Sequence, residues 1–492
     1  MDWKTLAATM PQDPDYSPRT LALVALQRVL DGTLYDDIGA DFEEEKTGGG
    51  DYVPLRQRRP SVRTNLCRVV VDDVGSLLFD EGHYPTIAAD ADATTEALQA
   101  IGKGMRLNLR MIDAATSGAV GSVALLLRVM SGRARVEVMS TAHLAPVFDH
   151  ADGETLTGCV ETFKVSRAQW QAMGIKLPSG ETQAWWRREW TGTQEIVFEP
   201  QSLTDRREGK PAVAMGTNAS GVGTVIHGLG FVPIVWIKNL PGASGDDGAP
   251  TLVSAAITTM IEYDYQLSQA GRGLKYASDP TLVIKDGGDD TARVGGAATA
   301  LMLPPEGDAK LLEISGRAAE AVLGYGRALR EIVLEAMHGN RTNADKLSAA
   351  QSGRALELMH QPLIWLADKL RISYGEVGLL SLMRMICAAS HKMAIEVEGV
   401  KYQGLDPKGL LLRWPPWFAP SPEDLQAQAG TLAALRGAGI MSRESAVKAL
   451  AGPYDIEDTA AEIARIDADD AAETAKLAQR AAKLNAAETV PV

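Results

Sequence analysis

The 492-residue chain is poor in the residues from which active sites and metal centres are usually built, with three cysteines and seven histidines. Cys67, Cys159 and Cys387 are too widely spaced to read as a metal pair or a disulfide framework. Small buried hydrophobes in a reducing compartment are the expectation for them. No histidine has a His or Cys partner at ligand spacing, so neither a metal nor a cofactor is expected. No Gly-x-x-x-x-Gly-Lys-Ser/Thr loop exists, because GKG at residues 102–104 lacks the upstream glycine and the hydroxyl. GVGTVIHGLG has glycines but follows no clear strand-to-helix crossover, and reads as a loop. The N-terminal MDWKTLAATMPQDPDYSP has no cationic segment before an apolar run, so no secretory signal is expected. No apolar stretch reads as the ~18 residues that span a bilayer, so a soluble intracellular protein without a membrane is expected. Positive charge is scarce too. Lys+Arg 49 against Asp+Glu 63 gives a net charge of -14. That excludes a protein that coats nucleic acid with a broad basic face, but not a local basic patch.

What is present is helix and strand pattern. The length calls for two or more packing units. A short helix pattern at residues 18–31 precedes a polar run, DDIGADFEEEKTGGGDY, that reads as a surface loop. In NLCRVVVDDVGSLLF, Leu66, Val69, Val70, Val74 and Leu77 fall on one helical stripe. TTEALQAIGKGMRLNLRMIDAA continues helically. GSVALLLRVM, ARVEVMSTAHLAPVFD, LTGCVETFKV, AWWRREWT, EIVFEP and GFVPIVWIKNLP read as strands separated by turn residues. After Pro250 a long helix pattern puts Val253, Ala256, Met260, Tyr263, Leu267, Ala270 and Leu274 on one face. A compact insert rich in glycine, proline and short strands follows. The next helix carries an apolar stripe of Val322, Tyr325, Leu329, Ile332, Val333 and Ala336, with Arg327 and Arg330 on its polar sides. A longer helical run extends to about residue 393, and Pro362 predicts a kink near residues 360–362. The C-terminal part is helical and alanine-rich, with helix starts at Ser421-Pro422-Glu423 and at Ser442.

Between the last two long helix patterns lies AMHGNRTNADKLSAAQSGRA, residues 336–355. Gly339 allows a turn there, and Thr342 or Asn343 can cap the following helix. Arg341 and Lys346 are its cations. By itself the stretch reads as a helix-to-helix turn, which also uses Gly and Asn and exposes cations. The acidic clusters at residues 41–45, 72–73, 286–290 and 467–470 lack calcium-loop spacing and read as solvated turns and helix ends. Trp185, Trp186, Trp190, Trp414 and Trp417 read as packing anchors ahead of base-stacking platforms.

The order of elements is the distinctive feature. An α+β part is followed by a helix, a small β-rich insert, a second helix, a polar tip, a long interrupted helix and a helical C-terminus. RPSVRTNLCRVVVDDVGSLLF, GFVPIVWIKNLP with the helix after it, GGAATALMLPPEGDAKLLEISGRAAEAVL and AGIMSRESAVKALAGPYDIEDTAAEIARI carry a resemblance to the portal proteins of tailed bacteriophages. It covers residues 52–470. The resemblance implies an α+β, mainly helical subunit with wing, stem, clip and helical crown. Its parts are a wing at 1–250, a first stem helix at 251–275, a clip at 276–315 and a second stem helix at 316–336. A tunnel loop at 337–346, a long kinked wing helix and return at 347–420, and a crown at 421–492 complete it. It also implies a homo-oligomeric ring of twelve at a capsid vertex, in the virion after assembly in the host cytoplasm. Double-stranded DNA would cross the ring without sequence readout. Terminase, a head-completion or adaptor protein and the major capsid protein would be partners, and no enzymatic activity is implied. Asn340, Arg341, Asn343 and Lys346 would then face the DNA channel, with Arg327 and Arg330 as stem candidates. Two other readings stay open: an α+β enzyme with a helical lid using Asp286 or Asp290, and a scaffold that forms no ring.

Overall fold

The computed structural model describes residues 2–177, 180–217, 221–243, 245–278, 281–285, 308–312, 316–339, 353–418, 422–451, 456 and 458–488. The chain divides into two compact units, Met1–Pro415 and Pro416–Val492.

The first unit opens with helices α1 (Trp3–Thr9) and α2 (Pro18–Leu30). The Ser17 hydroxyl accepts from Thr20 N–H and Pro18 fills the first turn, which fixes where α2 begins. α3 (Leu66–Phe79) starts from Asn65 in a left-handed conformation, φ 45°. Asn tolerates that conformation, and its side-chain amide donates to Leu30 O at 3.1 Å. The buried face of α3 is Cys67, Val70, Val71, Val74, Leu78 and Phe79. Val69, expected on that stripe, is exposed; the stripe is rotated toward Cys67 and Val71. The helical text at residues 92–118 is two helices, α4 (Asp92–Gly104) and α5 (Leu107–Gly118), broken where Arg106 takes φ 52°.

Two antiparallel sheets follow. β1 (Ser122–Met130), β2 (Arg133–Ser140), β3 (Leu144–Phe148), β4 (Leu156–Ser166), β5 (Gln183–Trp190), β6 (Gln194–Val197), β7 (Val225–Ile226) and β8 (Ile234–Lys238) form them. One sheet is ordered β8-β1-β2 and the other β7-β6-β5-β4-β3. β1 is central and covered on both faces, which is why its sequence is a continuous apolar run. On one face Ala124, Leu126 and Met139 join Leu144, Cys159 and Trp190 of the other sheet in a shared core. On the other face α5 packs against β1 and β2. Trp185, Trp186 and Trp190 are buried, as packing anchors should be. The three cysteines are buried and unpaired. Burial pushes the Cys67 and Cys159 thiols up to about 12 and the Cys387 thiol to about 11.

α6 (Ser254–Ser278) leads into β9 (Thr281–Lys285), which pairs antiparallel with β10 (Asp308–Leu312), and α7 (Gly316–Ala336) returns alongside α6. α8 (Gly353–Leu370) and α9 (Leu380–Lys392) are joined through Arg371–Leu379, which winds as a π-helix. Pro362 lies inside α8, and the change of winding sits about two turns later than the kink expected at residues 360–362. The π segment turns Tyr374 fully inward, where its hydroxyl donates to Asn239 Oδ1 at 3.0 Å. By length and composition His360–Lys392 could cross a bilayer, contrary to the expectation that no stretch is apolar enough. Within the fold 56% of its apolar window is buried, the position of a core helix. A hairpin of β11 (Ile395–Val397) and β12 (Val400–Tyr402) follows.

The described residues of the second unit form three helices, α10 (Pro422–Gly437), α11 (Arg443–Leu450) and α12 (Thr459–Glu488). Ser442 caps α11 by accepting from Ser445 N–H. Arg443 bridges to Asp467 at 2.5 Å and Asp470 at 3.0 Å on α12. Among its described residues only Leu432 is a buried hydrophobic.

Candidate functional site

Two of the candidate residues, Arg327 and Arg330, lie on α7 of the helix pair α6–α7. Ala256, Ile257, Met260 and Ile261 give α6 a buried apolar face. Four residues on from Met260 that face turns polar without turning to solvent. Asp264, 1% exposed, accepts from three donors: Tyr35 Oη at 2.9 Å, Thr64 N–H at 3.1 Å and Thr64 Oγ1 at 2.7 Å. Ser268 accepts from Val62 N–H at 3.0 Å and donates to Asp264 O at 2.7 Å. Tyr265 Oη donates to Arg58 O at 2.8 Å. Positions 264, 265 and 268 share one side of a helix, so the three stitch residues 58–64 to α6 as a seam. Burial pushes the Asp264 carboxyl above its usual range, against the pull of the Thr64 and Tyr35 donors.

α7 packs closely on α6 at Gly326, where a Cβ would meet Tyr263 Cε2 at 3.3 Å and Leu267 Cδ2 at 3.6 Å. Leu329, Val333, Leu334 and Met337 are buried. Tyr325 and Ile332, expected in the same apolar stripe, are 49% and 50% exposed. Seven residues apart, they form a second apolar edge that the described chain leaves open. Arg327 is exposed and Arg330 half-buried, and neither makes an ion pair with a described residue. At about 100° per residue, Arg327 lies roughly opposite Tyr325 and Ile332.

The end of α7 is a Schellman motif. His338 N–H donates to Glu335 O at 3.3 Å and Gly339 N–H to Leu334 O at 2.7 Å. His338 supplies the left-handed residue, φ 57°. Gly339 was expected to allow the turn through its backbone freedom. Its role here is steric, since a Cβ would sit 2.6 Å from Val70 Cγ2 on α3. Asn340, Arg341, Asn343 and Lys346 lie outside the described residues, as do Asp286 and Asp290 of the enzyme reading. Among the described residues no group of three or more His, Cys, Asp or Glu could hold a metal ion.

Sequence reasoning missed the Asp264 seam. The signal for it was in the text: Asp264 and Ser268 continue the four-residue spacing of the buried positions 256 and 260.

A sheet-bearing unit, two long helices with an antiparallel strand pair between them in the chain, and a long interrupted helix define a mixed α+β, mainly helical fold of portal type. The chain matches the family described as phage portal protein, SPP1 Gp6-like, over residues 52–476, and it belongs to that family. No curated protein matches it. Among solved structures it is similar to a chain in the virion of a native gene transfer agent particle, with 13% identity and a TM-score of 0.40. That match covers 90% of this chain and 96% of that one. A chain in the neck of the native particle, computed with C12 symmetry, matches with 14% identity and a TM-score of 0.40 over 91% and 97%. One in the neck of the empty particle, computed with C6 symmetry, matches with 13% identity and a TM-score of 0.39 over 90% and 96%.

Proposed function

We propose that this portal-family chain is the subunit of a closed ring of twelve at one vertex of a phage capsid. Double-stranded DNA passes through the ring during packaging and ejection. The ring docks a terminase during filling and a head-completion or adaptor protein afterwards, and it sits among copies of the major capsid protein. Each subunit acts by position rather than by chemistry.

The observation that carries the reading is the two-sided α7. Its apolar edge at Tyr325 and Ile332 is left open by the described residues, and a neighbouring copy would cover it. Arg327, on the far side, would then face the interior. A ring repeats that cation once per subunit, and phosphate contacts of this kind carry no sequence information. The second unit supports the same reading, because helices that bury so little of their own surface need another layer to pack against. In this assignment residues 1–250 are the wing, 251–275 and 316–336 the stem helices, and 276–315 the clip. Residues 337–346 are the tunnel loop, 347–420 the long wing helix and return, and 421–492 the crown. Asn340, Arg341, Asn343 and Lys346 line the narrowest part of the channel, with Arg327 and Arg330 along the stem. Sparse cations on a chain of net charge -14 suit a polymer that must be guided and released.

The test is DNA packaging into procapsids carrying Arg341→Ala with Lys346→Ala, and separately Arg327→Ala with Arg330→Ala. The expected result is normal incorporation of each variant into procapsids with reduced packaged or retained DNA. Wild-type DNA content in both would remove these cations from the mechanism.

A further inference from the structure

A cleft of about 1350 Å³ lies in the first unit, with none of its lining residues on α6 or α7. Six consecutive residues of β2, from Arg133 to Val138, line it. Side chains alternate between the two faces of a strand, so a cleft that touches six in a row runs along the strand's edge. β2 is the edge strand of its sheet. Apart from its ladder with β1, no other described element makes a backbone hydrogen bond to residues 133–140; the β11–β12 hairpin lies against the start of the strand, and its one backbone hydrogen bond there runs from Glu396 N–H to Gly132 O. An unpaired edge of this length is a ready template for another strand, and proteins normally cover or blunt it.

The charges along this edge are specific. Arg128 stands directly opposite Arg135 across the β1–β2 ladder, an unfavourable like-charged pair. Arg128 is drawn off by Glu137 at 3.3 Å and by Glu195 at 2.6 Å. Arg133 and Arg135, both exposed and on the same face, are left without an acid among the described residues, and so is Arg106 across the cleft. The acids of the walls are engaged or terminal. Arg68 holds Asp72, Arg110 lies 3.6 Å from Asp113, and Asp31 accepts from Gln27. Glu396 and Glu398 belong to the hairpin at the Gly132 end. On its other face β2 presents Ala134, Val136 and Val138.

We infer that this edge binds an extended segment of a separate protein by strand addition, with acidic residues alternating with aliphatic ones. Main-chain hydrogen bonds to β2 provide the affinity, and side-chain alternation provides the selectivity. Acids on one face of the added strand pair with Arg133 and Arg135, and aliphatic residues on the other face continue the Ala134–Val138 side. The size agrees. Eight residues at about 3.4 Å each, in a strand about 4.8 Å wide and 10 Å thick, occupy roughly 1300 Å³. The site is independent of the ring reading, since none of its residues lies on α6 or α7.

The probe is an acetylated, fluorescein-labelled octapeptide of alternating aspartate and valine, titrated into the full-length protein and followed by anisotropy. Saturable binding is expected, weakened by added salt. It should weaken about tenfold or more in Arg133→Ala with Arg135→Ala, since each lost charge-assisted hydrogen bond is worth that order. The same peptide N-methylated at alternate residues should not bind, which separates strand addition from mere charge attraction. Equal binding of a lysine–valine octapeptide, indifference to N-methylation, or no binding would each overturn the inference. Binding to the dispersed subunit but not to the assembled protein would also overturn it, by assigning the edge to a neighbouring copy.

Discussion

Replacing Asp264 by alanine should loosen the seam that ties the first long helix to the segment before α3. The carboxylate takes three hydrogen bonds, from Tyr35 Oη, Thr64 N–H and Thr64 Oγ1, at a site 1% exposed. Losing the acceptor strands buried donors, each worth about 1–3 kcal/mol. Removing a buried carboxylate returns part of its desolvation cost, and the Thr64 hydroxyl can rotate to another partner. The balance is a destabilisation of about 3 kcal/mol, a fall in melting temperature of roughly 3–4 °C. Asp264→Asn keeps an acceptor for Thr64 and turns an amide toward Tyr35, whose hydroxyl can accept instead; its loss should be about 1 kcal/mol. The pH dependence gives a second handle. Burial raises the folded-state pKa above the usual aspartate range. Stability from this group is therefore full below that range and declines as pH rises through the folded pKa, so wild type should gain on Asp264→Asn as pH falls toward 4. Differential scanning fluorimetry across that range measures both. An Asp264→Ala variant melting within about 1 °C of wild type would refute the seam as a structural element.

Two further outcomes follow from other contacts. Arg207, and then Lys164, hold the Asp15 carboxyl down to about 2, so its stabilisation is present above about 4 and fades as pH falls toward 2. The stability difference between wild type and Asp15→Asn in urea titrations should shrink across that window, and a pH-independent difference would count against the contact. Gly326→Val should destabilise by about 1–3 kcal/mol by pressing into Tyr263 and Leu267, read as a lower urea midpoint at unchanged slope.

Much of the fold was legible in the sequence because its signals are local. The periodicity around Met260 and Val333 located α6 and α7, and Ser17-Pro18 and Ser442 set helix starts by capping. The apolar run of β1 marked a strand. What was not legible depends on contacts between distant segments. Asp264 drew no separate reading in the sequence, because its partners Tyr35 and Thr64 lie 229 and 200 positions away and only the fold brings them to it. Gly339 looked like a flexible turn residue until Val70 came up against it. The π segment at Arg371–Leu379 has no local mark like a proline, so the sequence reading passed over it. Of the candidate channel residues, Arg327 and Arg330 can be placed on α7, whereas the tip that the element order singled out lies outside the described residues. The open edge of β2 was hidden for another reason: RARVEVMS reads as an ordinary half-buried strand, and only the sheet order shows that no described strand pairs with its outer side.

The central claim, that copies of this chain close into a ring around a channel, is tested most directly by electron microscopy of the purified full-length protein. Rings with a central hole, twelve-fold in rotational averages, are the expected result. A protein that stays monomeric or dimeric at micromolar concentration, with no rings in the images, would contradict it.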